Sequence, residues 1–364
     1  MSRAEEVLQG LRAGRPVAGP LTVHIDVTNG CNAACVTCWD HSPLLTEARP
    51  AAWKRQRLDW ARFQALTDDL ARLGGLRGVV LSGMGEPLTH PDIYRMIAAC
   101  KARGWHVMMI TNLVAADVEA LCASGVDQLL VGVQGVTPDS YAAFHPGWTE
   151  RHFFTMCRYL RRLQRTSVAV RHVQVIDVHT APELVEMVRF GQSFGADRVN
   201  FKLASLARGT EATAITEDQR AWMSREGVPA ARALAERLGV ATNLDLFEAQ
   251  LGAGGRATAP IQQVGCAMGY VYSRVTVTGE VLYCCNTAVK VGSLDEAPFS
   301  ELWYGPRWQA LRAHLAAGRY FQGCDQCGKI EQNTKWMGRL RAASGADEAL
   351  LDALTDDGAP GASA

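Results

Sequence analysis

Short runs rich in β-branched residues alternate with longer helical stretches between about residue 20 and residue 205. This alternation constrains the fold most, because successive strand and helix units build a parallel sheet covered by helices. Six runs are predicted to be strands, too few to close an eight-stranded barrel, so we expect an α/β fold with a partial, open TIM-like (βα)6 barrel. The predicted strands are Thr22–Val27, Gly78–Ser82, His106–Thr111, Gln128–Val133, Val168–Ile176 and Arg198–Leu203.

The stretches between these strands have helical periodicity, and several begin with Asp, Thr or Pro and end with Gly. In such a barrel the functional residues lie on the loops after the carboxyl ends of the strands. The predicted helices are Asp59–Arg72, Pro91–Arg103, Ala116–Ala123, Glu150–Arg165 and Pro182–Phe194, followed by Asp218–Arg237.

Alternate residues of a strand face opposite sides of the sheet, so the apolar residues of each strand should face the helices and the polar ones the lumen. An unpaired lysine against an apolar helix layer would be costly, which favours the lumen for Lys202. The fifth strand leaves open whether Arg171 or His172 points inward. The residues expected to line one polar cavity are His24, Asp26, Gln134, Asn200 and Lys202.

The pattern changes in residues 239–330, which lack a βα repeat. They predict a small α+β unit with a hairpin of strands Val271–Val277 and Val281–Cys284, followed by a helix at Ser300–Leu315. A unit with so little core needs a further source of stability, which a metal bound by its cysteines could supply. The final stretch, Thr355–Ala364, is rich in Gly, Pro, Ala and Asp and predicts a disordered tail.

The charge balance excludes several classes of partner. The chain has 37 Lys and Arg against 37 Asp and Glu, and nucleic-acid binding depends on an excess of basic residues. No apolar run approaches the roughly 18 residues of a membrane span, and Glu5 and Glu6 stand where a secretory signal would be apolar. We therefore expect a cytoplasmic protein with neither nucleic acid nor a membrane as a partner.

Eleven cysteines are many for the reducing cytoplasm, where clustered thiols indicate metal binding or catalysis. Cys31, Cys35 and Cys38 form a CX3CX2C motif directly after the first strand. Three thiolates can hold one iron–sulfur cubane and leave its fourth iron open. The alternatives are a zinc site with a remote fourth ligand, or three unrelated buried thiols.

This loop resembles the signature of the radical SAM superfamily, in which CX3CX2C follows the first strand of a partial (βα)6 barrel. The resemblance implies a [4Fe-4S] cluster on Cys31, Cys35 and Cys38, with S-adenosylmethionine on the open iron. It implies reductive cleavage to a 5'-deoxyadenosyl radical that abstracts hydrogen from the substrate, with a flavodoxin- or ferredoxin-type electron donor. The family's aromatic residue before the third cysteine is Thr37 here, which leaves Trp39 as the candidate for a contact with the adenine.

The sequence GMGEP at residues 83–87 ends the second strand and resembles the family's GGE motif. Its glycines would let the backbone approach the methionine amino group, and the carboxylate of Glu86 could stabilise the ammonium. Polar residues after the third and fourth strands are similar to the family's ribose and carboxylate contacts, with structural packing as the alternative. The cofactor-binding residues that the resemblance implies are Gly83, Gly85, Glu86, Asn112, Gln134 and Trp39.

The cysteines near the C-terminus resemble the SPASM/twitch extension of the same family. Cys266, Gly279 and Cys284 fit its CX9–15GX4C opening, and Cys324 and Cys327 fit its CX2C motif. Because no cysteine follows Cys327, the resemblance implies a twitch-like domain with one auxiliary [4Fe-4S] cluster. Zinc is the alternative for these four thiolates.

Full ligation by four cysteines leaves the auxiliary cluster no iron for substrate, so we expect it to transfer electrons during a net oxidation. The substrate radical would lose one electron to this cluster and one proton to a base. Lys202 is the first candidate base, and His24, His41 and His90 are others. Cys285 is a structural spare or, in an epimerase, a catalytic hydrogen donor.

We predict a dehydrogenase-like enzyme with a small-molecule substrate, because about 20 residues precede the first strand, too few for a leader-binding domain. The alternatives are an epimerase, a peptide-modifying maturase, and a non-catalytic iron–sulfur or zinc-stapled protein. The expected divisions are an N-terminal extension (1–20), the partial barrel (21–238), the twitch/SPASM-like unit (239–330) and a C-terminal helix with a disordered tail (331–364).

Overall fold

The computed structural model describes residues 2–254 and 258–356. Its strands are β1 (Thr22–Asp26), β2 (Gly78–Ser82), β3 (His106–Thr111), β4 (Gln128–Gly132), β5 (Ala169–Ile176), β6 (Arg198–Leu203), β7 (Tyr272–Val275), β8 (Glu280–Leu282) and β9 (Lys290–Ser293). Its α-helices are α1 (Arg3–Ala13), α2 (Ala51–Lys54), α3 (Trp60–Leu73), α4 (Ile93–Ala102), α5 (Val118–Ala123), α6 (Pro138–Phe144), α7 (Glu150–Leu163), α8 (Leu184–Ser193), α9 (Glu217–Trp222), α10 (Val228–Leu238), α11 (Leu244–Gly252), α12 (Ile261–Val264), α13 (Met268–Val271), α14 (Phe299–Tyr304), α15 (Pro306–Ala316) and α16 (Ile330–Asp356).

The described strands form one sheet in the order β6-β5-β4-β3-β2-β1-β7-β8-β9. Neighbours from β6 to β1 are parallel, and the helices between them cover the sheet. The six predicted strands are therefore confirmed to within one residue at each end. This is the parallel arrangement expected of a partial TIM-like barrel.

Strand β7 joins the two parts of the chain. It pairs with β8 in the predicted antiparallel hairpin, and on its other edge it pairs in parallel with β1, with Tyr272 opposite Thr22. The buried cluster that contains Val23 and Ile25 continues without a break to Val281 and Trp303. The C-terminal unit thus extends the barrel sheet and shares its core.

Two predicted helices differ from the structure because of prolines. The expected helix Ser300–Leu315 is two helices, since Pro306 cannot donate a backbone hydrogen bond and starts α15 after a break at Gly305. Residues 223–227 form a π-turn within the predicted helix Asp218–Arg237. Pro229 lies two residues after this turn and lacks the N–H that would continue the regular hydrogen-bond ladder.

The ends of the chain also differ from expectation. Helix α1 was missed, although Ser2 and Glu5 form a capping box that the sequence carries. Of the predicted disordered tail, Thr355 and Asp356 belong to helix α16, and residues 357–364 lie outside the described residues. Among the described helices none has the length and apolar character needed to cross a membrane.

Candidate active site

The motif CX3CX2C lies on an irregular segment, residues 29–38, which we call the cysteine loop. It begins just after the carboxyl end of β1 and is held by neighbouring elements. The Asn29 side chain donates to Gln56 Oε1 at 3.0 Å, and the Trp148 indole donates to the carbonyl of Asn32 at 3.1 Å. These contacts give the loop its conformation before any metal binds.

The three thiols of the cysteine loop lie close enough to influence one another electrostatically. Burial raises the pKa of Cys31 to about 12 and raises the pKa of Cys35 and Cys38 as well. The thiols are therefore protonated in the metal-free protein, and a soft metal centre would displace the protons. Three partly buried thiols on one short loop fit the iron–sulfur cluster that the motif implies.

The GMGEP loop packs directly on the cysteine loop. A Cβ atom added at Gly83 would lie 2.2 Å from the carbonyl oxygen of Thr28, and one at Gly85 would lie 2.0 Å from that of Gly30. Backbone hydrogen bonds join the same segments, including Glu86 N to Gly30 O at 2.8 Å. Glycine is required here because two backbones touch, a reason different from the predicted approach of a ligand.

The Glu86 carboxylate is buried and accepts three hydrogen bonds from the protein. Oε1 accepts from Thr111 Oγ1 at 2.6 Å and from the Leu88 N–H at 3.0 Å, and Oε2 accepts from the Asn112 N–H at 2.7 Å. Burial raises the pKa of Glu86 to about 7 in spite of these donors. The side chain ties the loop after β2 to the loop after β3, while its contact with the cosubstrate ammonium stays a prediction.

The other predicted cofactor contacts lie along the same edge of the sheet. Asn112 donates from Nδ2 to Asn32 Oδ1 at 2.8 Å and is thereby joined to the cysteine loop. Gln134 has a left-handed backbone with φ of 44° and folds its amide over Gly132. Trp39 is half exposed, and its indole donates to Ser205 O at 2.5 Å, near the end of β6.

A buried ion pair that no local sequence pattern indicates joins Arg274 to Asp26, one of the residues predicted to line the polar cavity. Asp26 on β1 is 1% exposed, and Arg274 Nε on β7 donates to its two oxygens at 3.1 and 3.0 Å. His24 Nε2 lies 3.4 Å from Asp26 Oδ1. Arg274 Nη2 also lies 3.5 Å from the sulfur of Met84, so this arginine connects β7, β1 and the GMGEP loop.

On β6 buried and less buried side chains alternate as predicted. On β5 the structure shows which of Arg171 and His172 faces the helices. Asn200 and Lys202 alternate with buried apolar residues of β6, and Lys202 is exposed. On β5, His172 is fully buried with its ring 5.8 Å from that of Phe190 on α8. His172 therefore faces the helices, and Arg171 lies on the opposite face of the strand.

The auxiliary cysteines come together from three separate segments around one cavity. Behind them, the buried Asn333 accepts a hydrogen bond from the Ala267 N–H at 2.8 Å and points its amide at the Cys327 sulfur, 3.6 Å away. No sequence motif singled out Asn333, Lys329 or Tyr283, which line the same cavity. The cysteines that line it are Cys266, Cys284, Cys285, Cys324 and Cys327.

The two cysteine sets lie at opposite ends of β1. Leu282 of β8 pairs with Arg274, and Tyr272 of β7 pairs with Thr22, so Cys284 lies near the amino end of β1. The cysteine loop follows the carboxyl end of the same strand. Four steps of about 3.3 Å along β1 separate the two levels by roughly 13 Å, and the Asp26–Arg274 pair lies between them.

Comparison with known families agrees with this geometry. A model of the radical SAM superfamily matches residues 25–191, and a model of SPASM, an iron–sulfur cluster-binding domain, matches residues 266–328. The chain is a radical SAM enzyme with a SPASM domain. Its cofactors are accordingly S-adenosylmethionine and iron–sulfur clusters, with iron–sulfur chemistry rather than zinc at the C-terminal cysteines.

Among curated relatives, the enzyme is 28% identical to the PqqA peptide cyclase of Xanthomonas campestris pv. campestris (strain B100) over 189 residues, which are 50% of this chain and 46% of the relative. The chain therefore spans about half the length of that relative. It is 24% identical to the AdoMet-dependent heme synthase of Methanosarcina barkeri (strain Fusaro / DSM 804) over 316 residues, 78% of this chain and 82% of the relative.

Solved structures support the fold. Streptococcus suis SuiB bound to S-adenosylmethionine is 18% identical with a TM-score of 0.59, and the match covers 90% of this chain and 74% of that one. SuiB has also been solved with its precursor peptide SuiA.

The histidines of the enzyme differ in their freedom to act as bases. His90 donates from Nε2 to Leu58 O at 3.0 Å and accepts at Nδ1 from the Asp92 N–H at 3.1 Å, so both ring nitrogens have structural partners. His41 Nε2 is buried, and within the described residues it has no hydrogen-bond partner. Burial lowers the pKa of His24 and His41, which keeps both rings neutral near pH 7.

Cys285 shares the auxiliary cavity with the four predicted ligands. The hydrogen bond between Cys284 and Cys285 lowers the pKa of Cys285 to about 6 and raises that of Cys284, and the nearby Lys329 also favours the Cys285 thiolate. In the part of the chain described, no three His, Cys, Asp or Glu side chains close around a single metal ion. A cubane does not require this, because each thiolate binds its own iron atom.

Proposed function

We propose that this radical SAM enzyme oxidises a peptide by removing two hydrogens. The names of the curated peptide cyclases favour this substrate over the small molecule that the short N-terminal segment suggested. The oxidative outcome rests on the four auxiliary cysteines, which would leave that cluster no open iron for substrate and so favour electron transfer. A cyclisation that joins two carbon atoms of a peptide and removes one hydrogen from each is itself a two-electron oxidation, so a peptide substrate is compatible with an oxidative outcome.

The observation that carries the proposal is the placement of two thiol sets towards opposite ends of β1, with the buried polar pair Asp26 and Arg274 between them. We propose that the substrate binds between these sets, and therefore between the groups that would start and finish an oxidation. One hydrogen leaves as an atom, the second leaves as a proton, and the remaining electron goes to the auxiliary centre. The atoms and electrons then balance without a further oxidant at the site.

When bound, S-adenosylmethionine and its cluster supply a 5'-deoxyadenosyl radical that abstracts the hydrogen atom. The cysteine loop and the GMGEP loop are proposed to hold these groups. The residues hydrogen-bonded to Glu86, which are Leu88, Thr111 and Asn112, would support them. Gln134 and Trp39 are proposed to complete the cosubstrate contacts. Lys202, which is exposed at the carboxyl end of β6, is the proposed acceptor of the proton.

The four auxiliary ligands are proposed to be Cys266, Cys284, Cys324 and Cys327, with Cys285 as an unligated neighbour. We also propose the divisions of the chain stated above, with one adjustment. Helix α11 packs on the barrel, with the ring of Phe247 5.9 Å from that of Phe201 on β6. The barrel unit therefore extends to about residue 252 in this proposal.

The test uses the full chain with both clusters reconstituted, a flavodoxin-type reductant and short peptides encoded next to its gene. The expected result is 5'-deoxyadenosine formation that rises with one peptide and a product two hydrogens lighter. An isomer of equal mass carrying one solvent deuterium would instead indicate epimerisation, and Cys285→Ala should then stop turnover. If no peptide raises 5'-deoxyadenosine above its background, the peptide assignment fails.

Heme synthesis is the second candidate, because the likeness to the heme synthase spans 78% of this chain and 82% of that protein. It predicts that an iron porphyrin precursor, and no peptide, stimulates 5'-deoxyadenosine formation. Absorbance spectra of the same reactions would report heme directly.

A further inference from the structure

Lys329 is a cation that lines the auxiliary cavity. It follows the ligand Cys327 by two residues and lines the cavity together with the five cysteines. Its Nζ lies 4.4 Å from the centroid of the Tyr272 ring, on the first residue of β7. The aromatic face and the cavity wall leave the side chain only partly accessible to water.

Lys329 shares its cavity with cysteine sulfurs rather than with a carboxylate. Among the described residues no Asp or Glu forms an ion pair with Lys329, and the buried Asp26 is bound to Arg274. Its favourable electrostatic interactions are with Cys285, Cys327 and Cys284. A partly buried cation without a carboxylate partner is costly to keep unless it serves the negative centre that it faces.

The potential of an iron–sulfur cluster depends on its net charge, on hydrogen bonds to its sulfurs and on solvent exposure. A cluster held by four thiolates is anionic, and reduction adds one more negative charge. A fixed cation beside it stabilises the reduced form more than the oxidised form, and burial limits screening by water and salt. The amide of Asn333 near the Cys327 sulfur acts in the same direction but carries no net charge.

We propose that Lys329 raises the reduction potential of the auxiliary cluster and so makes it a better acceptor for the electron that leaves the substrate radical. Lys329 is thus a tuning residue that acts through the cluster and forms no bond to the substrate. The inference rests on the auxiliary cluster of the SPASM domain and does not depend on whether the substrate is a peptide.

The test compares the variants Lys329→Met and Lys329→Arg with wild type in the full chain, with both clusters loaded. The clusters are reduced stepwise under anaerobic conditions and followed by electron paramagnetic resonance. Added S-adenosylmethionine changes the signal of the cluster on the cysteine loop, which assigns the other signal to the auxiliary cluster. Lys335→Met, an exposed lysine on α16, is the matched control.

In Lys329→Met we expect the midpoint reduction potential of the auxiliary cluster to fall by at least about 59 mV. For one electron this corresponds to a tenfold change in the ratio of reduced to oxidised cluster. Lys329→Arg and Lys335→Met should keep the wild-type midpoint, and the cluster on the cysteine loop should not shift in any variant. An unchanged auxiliary midpoint in Lys329→Met with full iron content would overturn the inference.

If Lys329→Met fails to hold its iron, Lys329→Gln, which keeps a polar end, provides the same measurement with the same expected fall. The potentials are measured without substrate. A failure of the peptide to react would therefore leave this result unaffected, and the two proposals can fail separately.

Discussion

Replacement of Arg274 by methionine tests how the C-terminal unit is joined to the barrel. Methionine keeps much of the apolar stem and removes the guanidinium, whose Nε donates to both oxygens of Asp26 and whose Nη2 lies 3.0 Å from Oδ2. The side chain of Asp26 is 1% exposed and that of Arg274 is 12% exposed. Removing one partner from a buried pair costs about 3–5 kcal/mol of unfolding free energy, because a buried charge is left behind.

The pH dependence of this loss has a definite sign. Burial alone would raise the pKa of Asp26, but His24 and Arg274 together lower it below its usual value. In the wild type Asp26 therefore contributes stability above its unfolded pKa of about 3.8, and this is lost as the pH falls through the lowered folded value. In Arg274→Met the loss of the guanidinium should raise the pKa of Asp26 above its wild-type value, even though the hydrogen bond with His24 remains, so the stability deficit of the variant relative to wild type should grow as the pH rises.

The assay is anaerobic urea unfolding of the reconstituted enzyme, followed by tryptophan fluorescence at several values of pH. The difference between wild type and Arg274→Met should grow from pH 4 towards pH 7. Asp26→Asn combined with Arg274→Met should recover about 2 kcal/mol or more and remove the pH dependence, because no buried charge remains.

Arg189→Met is the matched control, since Arg189 pairs with Glu186 at the surface, where the two side chains are 55% and 57% exposed. Its effect should stay within about 0.5 kcal/mol. If Arg274→Met is tolerated as well as this control, or if its cost does not change with pH, the buried pair does not join the two parts of the molecule as argued.

Three further predictions concern the cysteine loop and the neighbouring GMGEP loop. Alanine at all three cysteines of the cysteine loop should halve the iron content and abolish S-adenosylmethionine cleavage; iron content equal to wild type would remove the cluster assignment. Glu86→Gln should leave the buried N–H of Leu88 or of Asn112 facing the amide NH2 group, which cannot accept a hydrogen bond. The free energy of unfolding in urea should then fall by about 1–3 kcal/mol before cosubstrate is added. If stability is normal and S-adenosylmethionine binding is weaker by about 1.5–3 kcal/mol, the carboxylate instead binds the ammonium of the cosubstrate. Gly85→Ala should displace the GMGEP loop, because its Cβ would meet Gly30 O at 2.0 Å, and should weaken S-adenosylmethionine binding in calorimetry at least tenfold, whereas unchanged binding would show that the loop can move without cost.

Local patterns in the sequence were sufficient for the six barrel strands and for one half of the site, although they left helix α1 and strand β9 unpredicted. The six barrel strands follow from short β-branched runs, and the cysteine loop from a motif within eight residues of chain at the end of the first strand. Such features depend on backbone propensity and on neighbours close in sequence, which a single sequence displays. The auxiliary cysteines, which are farther apart, were found only through their resemblance to a known spacing.

What the sequence by itself determined was therefore the strands and main helices of the barrel and the residues that carry the cluster chemistry. The tertiary structure decided what lies between the clusters. Arg274 and Asp26 meet across 248 residues of sequence because β7 pairs with β1, and no local pattern specifies the partner of a strand edge. The same holds for His172, which packing against α8 turns away from the lumen, and for Lys329, whose position beside the auxiliary cysteines depends on three segments closing around one cavity. Pairing and packing between distant segments are properties of the whole folded chain, since each contact forms only when its partners are brought together by the rest of the fold.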